Sequence, residues 1–226
     1  MPMKPRLVEV RKNVLKKNDL LAAELRQRFA ADGVFVVSLV SSPGSGKTEF
    51  LEKSLRLLAQ NYRVAALVGD LATANDAERL ARSRVPVKQI TTGTVCHLDA
   101  QMAADALGEW NLANLDILFI ENVGNLVCPS SYDLGENLRL VLMSVTEGED
   151  KPLKYPTIFN TADIAVITKM DIADAVEFDL KTAKKSIRSV RPGMQIIEVS
   201  AKTGDGMAEW IDLVESQIGE RSFAAV

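Results

Sequence analysis

Val34-Phe35-Val36-Val37-Ser38-Leu39-Val40 runs directly into Ser41-Ser42-Pro43-Gly44-Ser45-Gly46-Lys47-Thr48, and this junction decides the fold. A run so dense in β-branched and apolar residues is the mark of a strand covered on both faces. The glycine-bearing loop after it leads into a helical stretch through Leu58. Strand, glycine loop, Gly46-Lys47-Thr48 and helix make a phosphate-binding P-loop in the context it requires. The glycines let successive backbone N–H groups turn inward onto phosphate oxygens, and the helix start adds the positive end of its dipole. Pro43, Gly44, Ser45 and Gly46 are read as the cradle. Lys47 is read as the bridge between the β- and γ-phosphates, and the Thr48 hydroxyl as a Mg²⁺ ligand. The first glycine of the usual G-x-x-x-x-G-K-[ST] pattern is Ser41 here, a small residue that the position tolerates.

Working outward, strand and helix patterns alternate. Strands are expected at Val64–Val68, Val87–Thr91, Leu115–Ile120, Leu138–Val145, Ile164–Thr168 and Gln195–Ser200, and helices at Asn75–Arg84, Leu98–Leu107, Ala173–Val190 and Met207–Ile218. Such alternation means βαβ units. The expected fold is α/β: a P-loop NTPase with a doubly wound, mainly parallel sheet of about seven strands and helices on both faces. Residues 5–31 read as a helix broken near Asn18 and stopped at Gly33. This divides the chain into an N-terminal helical segment, 1–33, and a P-loop domain, 34–226. The polar, proline-bearing stretch Glu147–Thr161 reads as an exposed functional loop.

Composition narrows the classes. A chain of 226 residues with 47% hydrophobic and 25% charged residues buries roughly 70–75% of its unfolded surface and is not disordered. A net charge of -3 argues against broad electrostatic binding to nucleic acid or an anionic membrane. Two cysteines are no disulfide framework, and one histidine excludes a histidine-rich metal-storage tract. No apolar run approaches the ~18 residues of a membrane span. The basic N-terminus (Lys4, Arg6, Arg11, Lys12, Lys16, Lys17) lacks the apolar stretch of a secretory signal. A cytoplasmic protein with reduced thiols is expected.

Thr168-Lys169-Met170-Asp171 follows a strand and resembles the N-K-x-D motif with which GTPases read guanine. A carboxylate at Asp171 can accept from guanine N1–H and the 2-amino group, whereas adenine would leave it unpaired. The Lys169 stem would stack on the base. Thr168 replaces the usual asparagine, which is expected to loosen the tie to the P-loop. Ser200-Ala201-Lys202, again at a strand end, resembles the S-A-K element that reaches the guanine O6. The competing reading is an ATP-binding P-loop protein in which these are surface loops.

Cys96 and His97 are adjacent after one strand, and Cys128 lies just past the next. In a parallel sheet both segments emerge at the carboxyl edge, so the three residues are expected to converge near the nucleotide. Thiolate plus imidazole suits Zn²⁺ or Ni²⁺, but three ligands do not close a tetrahedral site. Water or a second chain would complete it. Residue types alone favour two inert buried thiols and a capping histidine.

Gly69-Asp70, Asn75-Asp76-Ala77-Glu78-Arg79, Thr92-Gly93, Cys96-His97-Leu98-Asp99-Ala100, Glu121-Asn122-Val123-Gly124-Asn125-Leu126-Val127-Cys128-Pro129 and Asp133-Leu134-Gly135 together resemble the hydrogenase nickel-incorporation GTPase family, HypB. The resemblance covers about residues 34–215. It implies a GTP-hydrolysing metallochaperone that assists nickel insertion into [NiFe] hydrogenase. It also implies a homodimer favoured by GTP, with the hydrogenase large subunit and other maturation proteins as partners. Carried onto this chain, it makes Cys96, His97 and Cys128 the metal ligands, two sets meeting across the dimer. Glu121 with Gly124 takes the place of the D-x-x-G element that holds Mg²⁺ and senses the γ-phosphate. Asp70 and Asp76 fall in the first switch region, for Mg²⁺ or water positioning. Lys47, Asp70, Asp76 and Glu121 are then the residues expected to act in hydrolysis. No cysteine precedes Cys96, so the N-terminal cysteine motif of some members is absent and high-affinity nickel storage is not expected. The alternatives are a urease-type nickel chaperone GTPase, a regulatory or cobalamin-enzyme chaperone GTPase without its own metal, and a small-molecule kinase.

Overall fold

Every residue of Phe35–Ser41 is buried, as its unbroken apolar run requires, and the sheet is built outward from this strand. The computed structural model describes residues 6–71, 75–108 and 110–224, with the side chains at 6–11, 75, 76, 78 and 220–224 outside the description. In chain order the elements are α1 (Arg6–Ala31), β1 (Phe35–Ser41), α2 (Lys47–Leu58), β2 (Val64–Asp70), α3 (Asn75–Ala81), β3 (Val87–Thr91), α4 (Ala100–Leu107) and β4 (Ile117–Glu121). Then come β5 (Leu138–Ser144), α5 (Lys151–Lys154), α6 (Pro156–Thr161), β6 (Ile164–Thr168), α7 (Leu180–Val190), β7 (Gln195–Glu198) and α8 (Met207–Ala224).

The strand order is β3-β2-β4-β1-β5-β6-β7, and every pairing is parallel. The chain winds to one side through β2 and β3, returns to β4 beside β1, then crosses to the other side. All carboxyl ends therefore share one edge, and the crevice opens where the winding reverses, beside β1.

Strand alternation decides the two faces. Phe35, Val37 and Leu39 pack with Phe50 and Leu51 of α2 and Trp210 of α8. Val34 and Val36 meet Ala22, Leu25 and Phe29 of α1 and Ala103 of α4. Val40 joins Ile158 and Phe159 of α6 and Ile187 of α7. The N-terminal helix thus shares its core with the sheet. Among the described residues no helix is long and apolar enough to cross a membrane.

Several expected elements take a different form. α1 runs unbroken through Asn18. A mid-helix asparagine interrupts a helix when its amide bonds nearby backbone, but here both ends of that amide bond distant segments. The stretch 147–161 is not an open loop: it folds into α5 and α6, with Pro152, Ile158 and Phe159 buried. Each proline sits in the first turn of its short helix, where the missing N–H has no cost, so the prolines start helices rather than excluding them. Lys154 on α5 pairs with Asp150, Nζ–Oδ2 2.8 Å, at the surface. The expected helix over 173–190 begins only at Leu180, where Asp179 accepts from Thr182 N at 3.0 Å. Short 3-10 turns precede it.

Trp210 is fully buried, and its Nε1 donates to Ser54 Oγ at 2.9 Å, tying α8 to α2. Ser54→Ala strands that indole N–H and should cost about 1–3 kcal/mol. Urea unfolding should show the loss, while nucleotide affinity stays that of wild type.

Candidate functional site

At the carboxyl edge of β1 the chain turns through Gly44 (φ +75°) and Gly46 (φ +84°) into α2. A β-carbon is disfavoured at such angles. The turn is the wall of a cleft of about 780 Å³, lined also by Asp70, Leu71, Gly124, Lys169, Asp171, Ala201 and Lys202. Strand ends thus bring together the residues expected to cradle phosphate with those expected to read the base.

The phosphate end centres on Glu121, the last residue of β4, which is fully buried. Its Oε1 accepts from Lys47 Nζ at 2.7 Å and from Thr48 Oγ1 at 2.8 Å. Its Oε2 is buried with no hydrogen-bond partner among the described residues, as are the hydroxyls of Ser42 and Ser45 in the P-loop. A buried ammonium beside a buried carboxylate oxygen with spare acceptor capacity suits a polyphosphate with its divalent cation. Gly124 passes close to the P-loop: a β-carbon there would lie 3.2 Å from Pro43 Cα. Asp70 closes β2 at the same cleft, its Oδ1 accepting from Leu71 N at 2.7 Å. The side chain of Asp76 lies outside the described residues. Arg79 of α3 lines the cleft and pairs with Glu49 and Glu52 of α2; the sequence had marked it only as one letter of a motif.

At the other end Thr168 corrects an expectation. Its Oγ1 donates to Ser45 O at 2.5 Å, so the threonine keeps the tie to the P-loop that asparagine usually makes. Lys169 adopts φ +60°, in the left-handed region. Such strain persists where surroundings hold it, and here Nζ donates to Gly44 O at 2.6 Å while the stem crosses Gly46. Asp171 Oδ1 accepts from Ser200 Oγ at 2.7 Å, and Lys202 Nζ stands 4.0 Å from its Oδ2. The T-K-M-D and S-A-K elements are therefore one unit, with Ser200 orienting the carboxylate.

On the neighbouring strand exits, Cys96, His97 and Cys128 offer three ligand atoms all within 4.8 Å of one another. Cys96 Sγ lies 2.8 Å from Cys128 Sγ, with no disulfide between them. The His97 ring stacks on Tyr132, centroids 3.9 Å apart. Burial holds its imidazole below the usual value, against the opposing pull of Asp99, so the neutral, ligating form prevails at neutral pH. Nδ1 is buried without a hydrogen-bond partner among the described residues. Two soft thiols and an unpaired imidazole nitrogen fit a borderline-soft divalent metal.

Two asparagines with no role expected from the sequence, Asn122 and Asn125, knit this cluster to the cleft. Asn122 Oδ1 accepts from Leu98 N and Val123 N, both at 2.9 Å. Asn125 Nδ2 donates to Cys96 O at 3.3 Å, and its Oδ1 accepts from Val127 N at 2.8 Å. The only sequence signal was their place in the E-N-x-G-N run.

A model of the "CobW/HypB/UreG, nucleotide-binding domain" matches residues 35–198. The hydrogenase maturation factor HypB of Azotobacter chroococcum mcd 1 is 46% identical over 98% of this chain and 72% of its own length.

The chain belongs to the HypB family.

HypB of Escherichia coli (strain K12) is 48% identical over 94% of this chain and 73% of its own. The crystal structure of HypB from Helicobacter pylori in complex with nickel superposes with a TM-score of 0.85 at 40% identity, covering 90% of this chain and 96% of that one. Family membership makes the glycine loop part of a P-loop nucleotide-binding domain.

Asn122→Ala leaves two buried N–H groups without their acceptor. It should cost about 2–4 kcal/mol, at roughly 1–3 kcal/mol per stranded group less than full additivity. Urea unfolding checks the cost.

Proposed function

We propose that this chain is a GTP-hydrolysing nickel metallochaperone that assists nickel insertion into [NiFe] hydrogenase. The observation that carries the reading is the convergence of Cys96, His97 and Cys128 on the strand exits beside the nucleotide cleft. The nickel complex of the Helicobacter pylori relative supports it.

Each cleft residue takes a role from its chemistry. The cradle from Pro43 to Gly46 presents backbone N–H groups to phosphate, and Lys47 neutralises the charge that develops there. Thr48, Asp70 and Glu121 would hold Mg²⁺, which supplies charge stabilisation at the phosphates. Asp76 stands with Asp70 for water positioning. Gly124 presents its backbone to the γ-phosphate. Asp171 reads guanine, Lys169 stacks on it, and Ser200, Ala201 and Lys202 complete the base pocket. Cys96, His97 and Cys128 take up Ni²⁺ as cargo or Zn²⁺ in its place. Three donors fall one short of a tetrahedral set, so a second copy of the chain completes the coordination in a homodimer that GTP favours. The hydrogenase large subunit and other maturation proteins are its partners, in the cytoplasm. We take 1–33 as an added helix on the nucleotide-binding domain, 34–226.

Guanine selection is the direct test of the nucleotide half. Asp171→Asn removes the double acceptor and should weaken GTP binding by about 2–4 kcal/mol. ATP should compete poorly against wild type, and equal affinity for both nucleotides would refute the assignment.

The metal half is tested through its link to the cleft. Cys128 follows Glu121 by seven residues, so a nucleotide that moves this loop moves a ligand. Metal affinity in a non-hydrolysable GTP analogue should differ from that in GDP by about 5–150-fold. It should fall with pH in both states, as protons compete for the thiolates. Identical affinities in the two states would end the coupling.

A further inference from the structure

Asn18 lies in the middle of α1 and is only 7% exposed. Its neighbours along this face, Ala22 and Leu25, are buried apolar residues. An asparagine here is poor for the helix and costly to bury, so local preference does not explain it. Its hydrogen bonds do. Nδ2 donates to Asp133 O at 2.9 Å, and Oδ1 accepts from Ala100 N at 2.9 Å. Ala100 is the first residue of α4, three past His97, and its N–H is among those a helix start leaves without an internal partner. Asp133 is five residues past Cys128 and two past the 3-10 turn Cys128–Ser131. One amide therefore bridges the two segments that carry the cluster, 82 and 115 residues away in the chain.

The rest of α1 supports the same bridge. Arg26 Nη2 bonds both carboxylate oxygens of Asp133, at 2.7 and 2.8 Å. Gly135 passes so close beneath the helix that a β-carbon would lie 2.8 Å from Ala22 O. Asp133 Oδ1 in turn accepts from Gly135 N at 2.8 Å. The segment after Cys128 is thus pinned to α1 at its carbonyl, its carboxylate and its turn, while the first N–H of α4 is pinned there by Asn18 Oδ1.

We propose that Asn18 is a positioning residue for the Cys96–His97–Cys128 cluster, holding its two ligand-bearing segments in register from a third element. The inference rests on the reading of that cluster as a metal site. The three ligand atoms come from two loops that no disulfide joins, so their spacing is set by whatever fixes the loops to each other. Asn122 and Asn125 do this from the sheet side, and Asn18 does it from the helix side. A metal-binding geometry tolerates little displacement of its donors, so loss of one of these fasteners is read in affinity before it is read in fold.

The test compares Asn18→Leu, of similar size and without either hydrogen bond, with wild type, Cys96→Ala and Ser54→Ala, all as the full chain. Zn²⁺ and Ni²⁺ affinities are measured by competition with a chromogenic chelator, the Ni²⁺–thiolate charge-transfer absorption is recorded, and GDP affinity is titrated. Asn18→Leu should bind metal about tenfold more weakly, the lower end for partners outside the ligand shell. Its charge-transfer absorption should change, and its GDP affinity should not. Ser54→Ala, which breaks a buried hydrogen bond on the opposite face of the sheet, should lose stability and keep wild-type metal affinity and spectrum. Asn18→Asp keeps the acceptor for Ala100 N and loses the donor to Asp133 O. It should also weaken metal binding, and it carries the test if the leucine variant does not fold. Wild-type metal affinity and absorption in the folded Asn18 variants, with Cys96→Ala defective, would overturn the positioning role alone. Undiminished metal binding by Cys96→Ala would overturn the metal site beneath it.

Discussion

A carboxylate with no solvent exposure is the point on which this molecule turns. Glu121 sits at the end of β4 with its side chain fully buried. An ionised carboxylate is expensive there unless it is paired and hydrogen-bonded. Lys47 and Thr48 meet one of its oxygens, and both belong to the first turn of α2. For them to do so, β4 must lie beside β1, in the register that sets Leu39 against Glu121. That adjacency is the reversal point of a doubly wound sheet, since β2 and β3 must then lie beyond β4 and the later strands beyond β1. The pairing that closes the phosphate end of the cleft is thus also what the strand order delivers.

The same constraint explains how much could be read from the sequence. β1 and the glycine loop were legible because both signals are local: an apolar run, and residues whose backbone angles side chains disfavour. β3 and β6 have the bounds the pattern gave. The convergence of Cys96, His97 and Cys128 followed from topology alone, because parallel strands put their exits on one edge. What was misread depended on partners far along the chain. Asn18 looked like a helix breaker because its actual partners, Ala100 and Asp133, are remote in sequence. Thr168 looked like a weakened motif because the short reach of its hydroxyl to Ser45 O exists only once β6 stands near β1. The stretch 147–161 looked like a loop because prolines read as breaks until Ile158 and Phe159 find the core.

The cleft and the cluster are joined by a short, crowded path. Between Glu121 and Cys128 the chain passes Gly124, where a β-carbon would lie 3.2 Å from Pro43 Cα. It also passes Asn122 and Asn125, which bond to the Cys96 segment. A close-packed contact of this kind does not absorb a shift gradually; its neighbours move with it or the packing is lost. Pro43 of the P-loop is thus in contact range of Gly124, and the asparagines on either side of Gly124 tie both loops of the cluster together. α1 holds the same segments from the far side, through Asn18 and the Arg26–Asp133 pair. The cluster stands between an element that lines the cleft and an element that does not. Its geometry is thus fastened from two sides, of which only one, through Gly124, reaches the cleft.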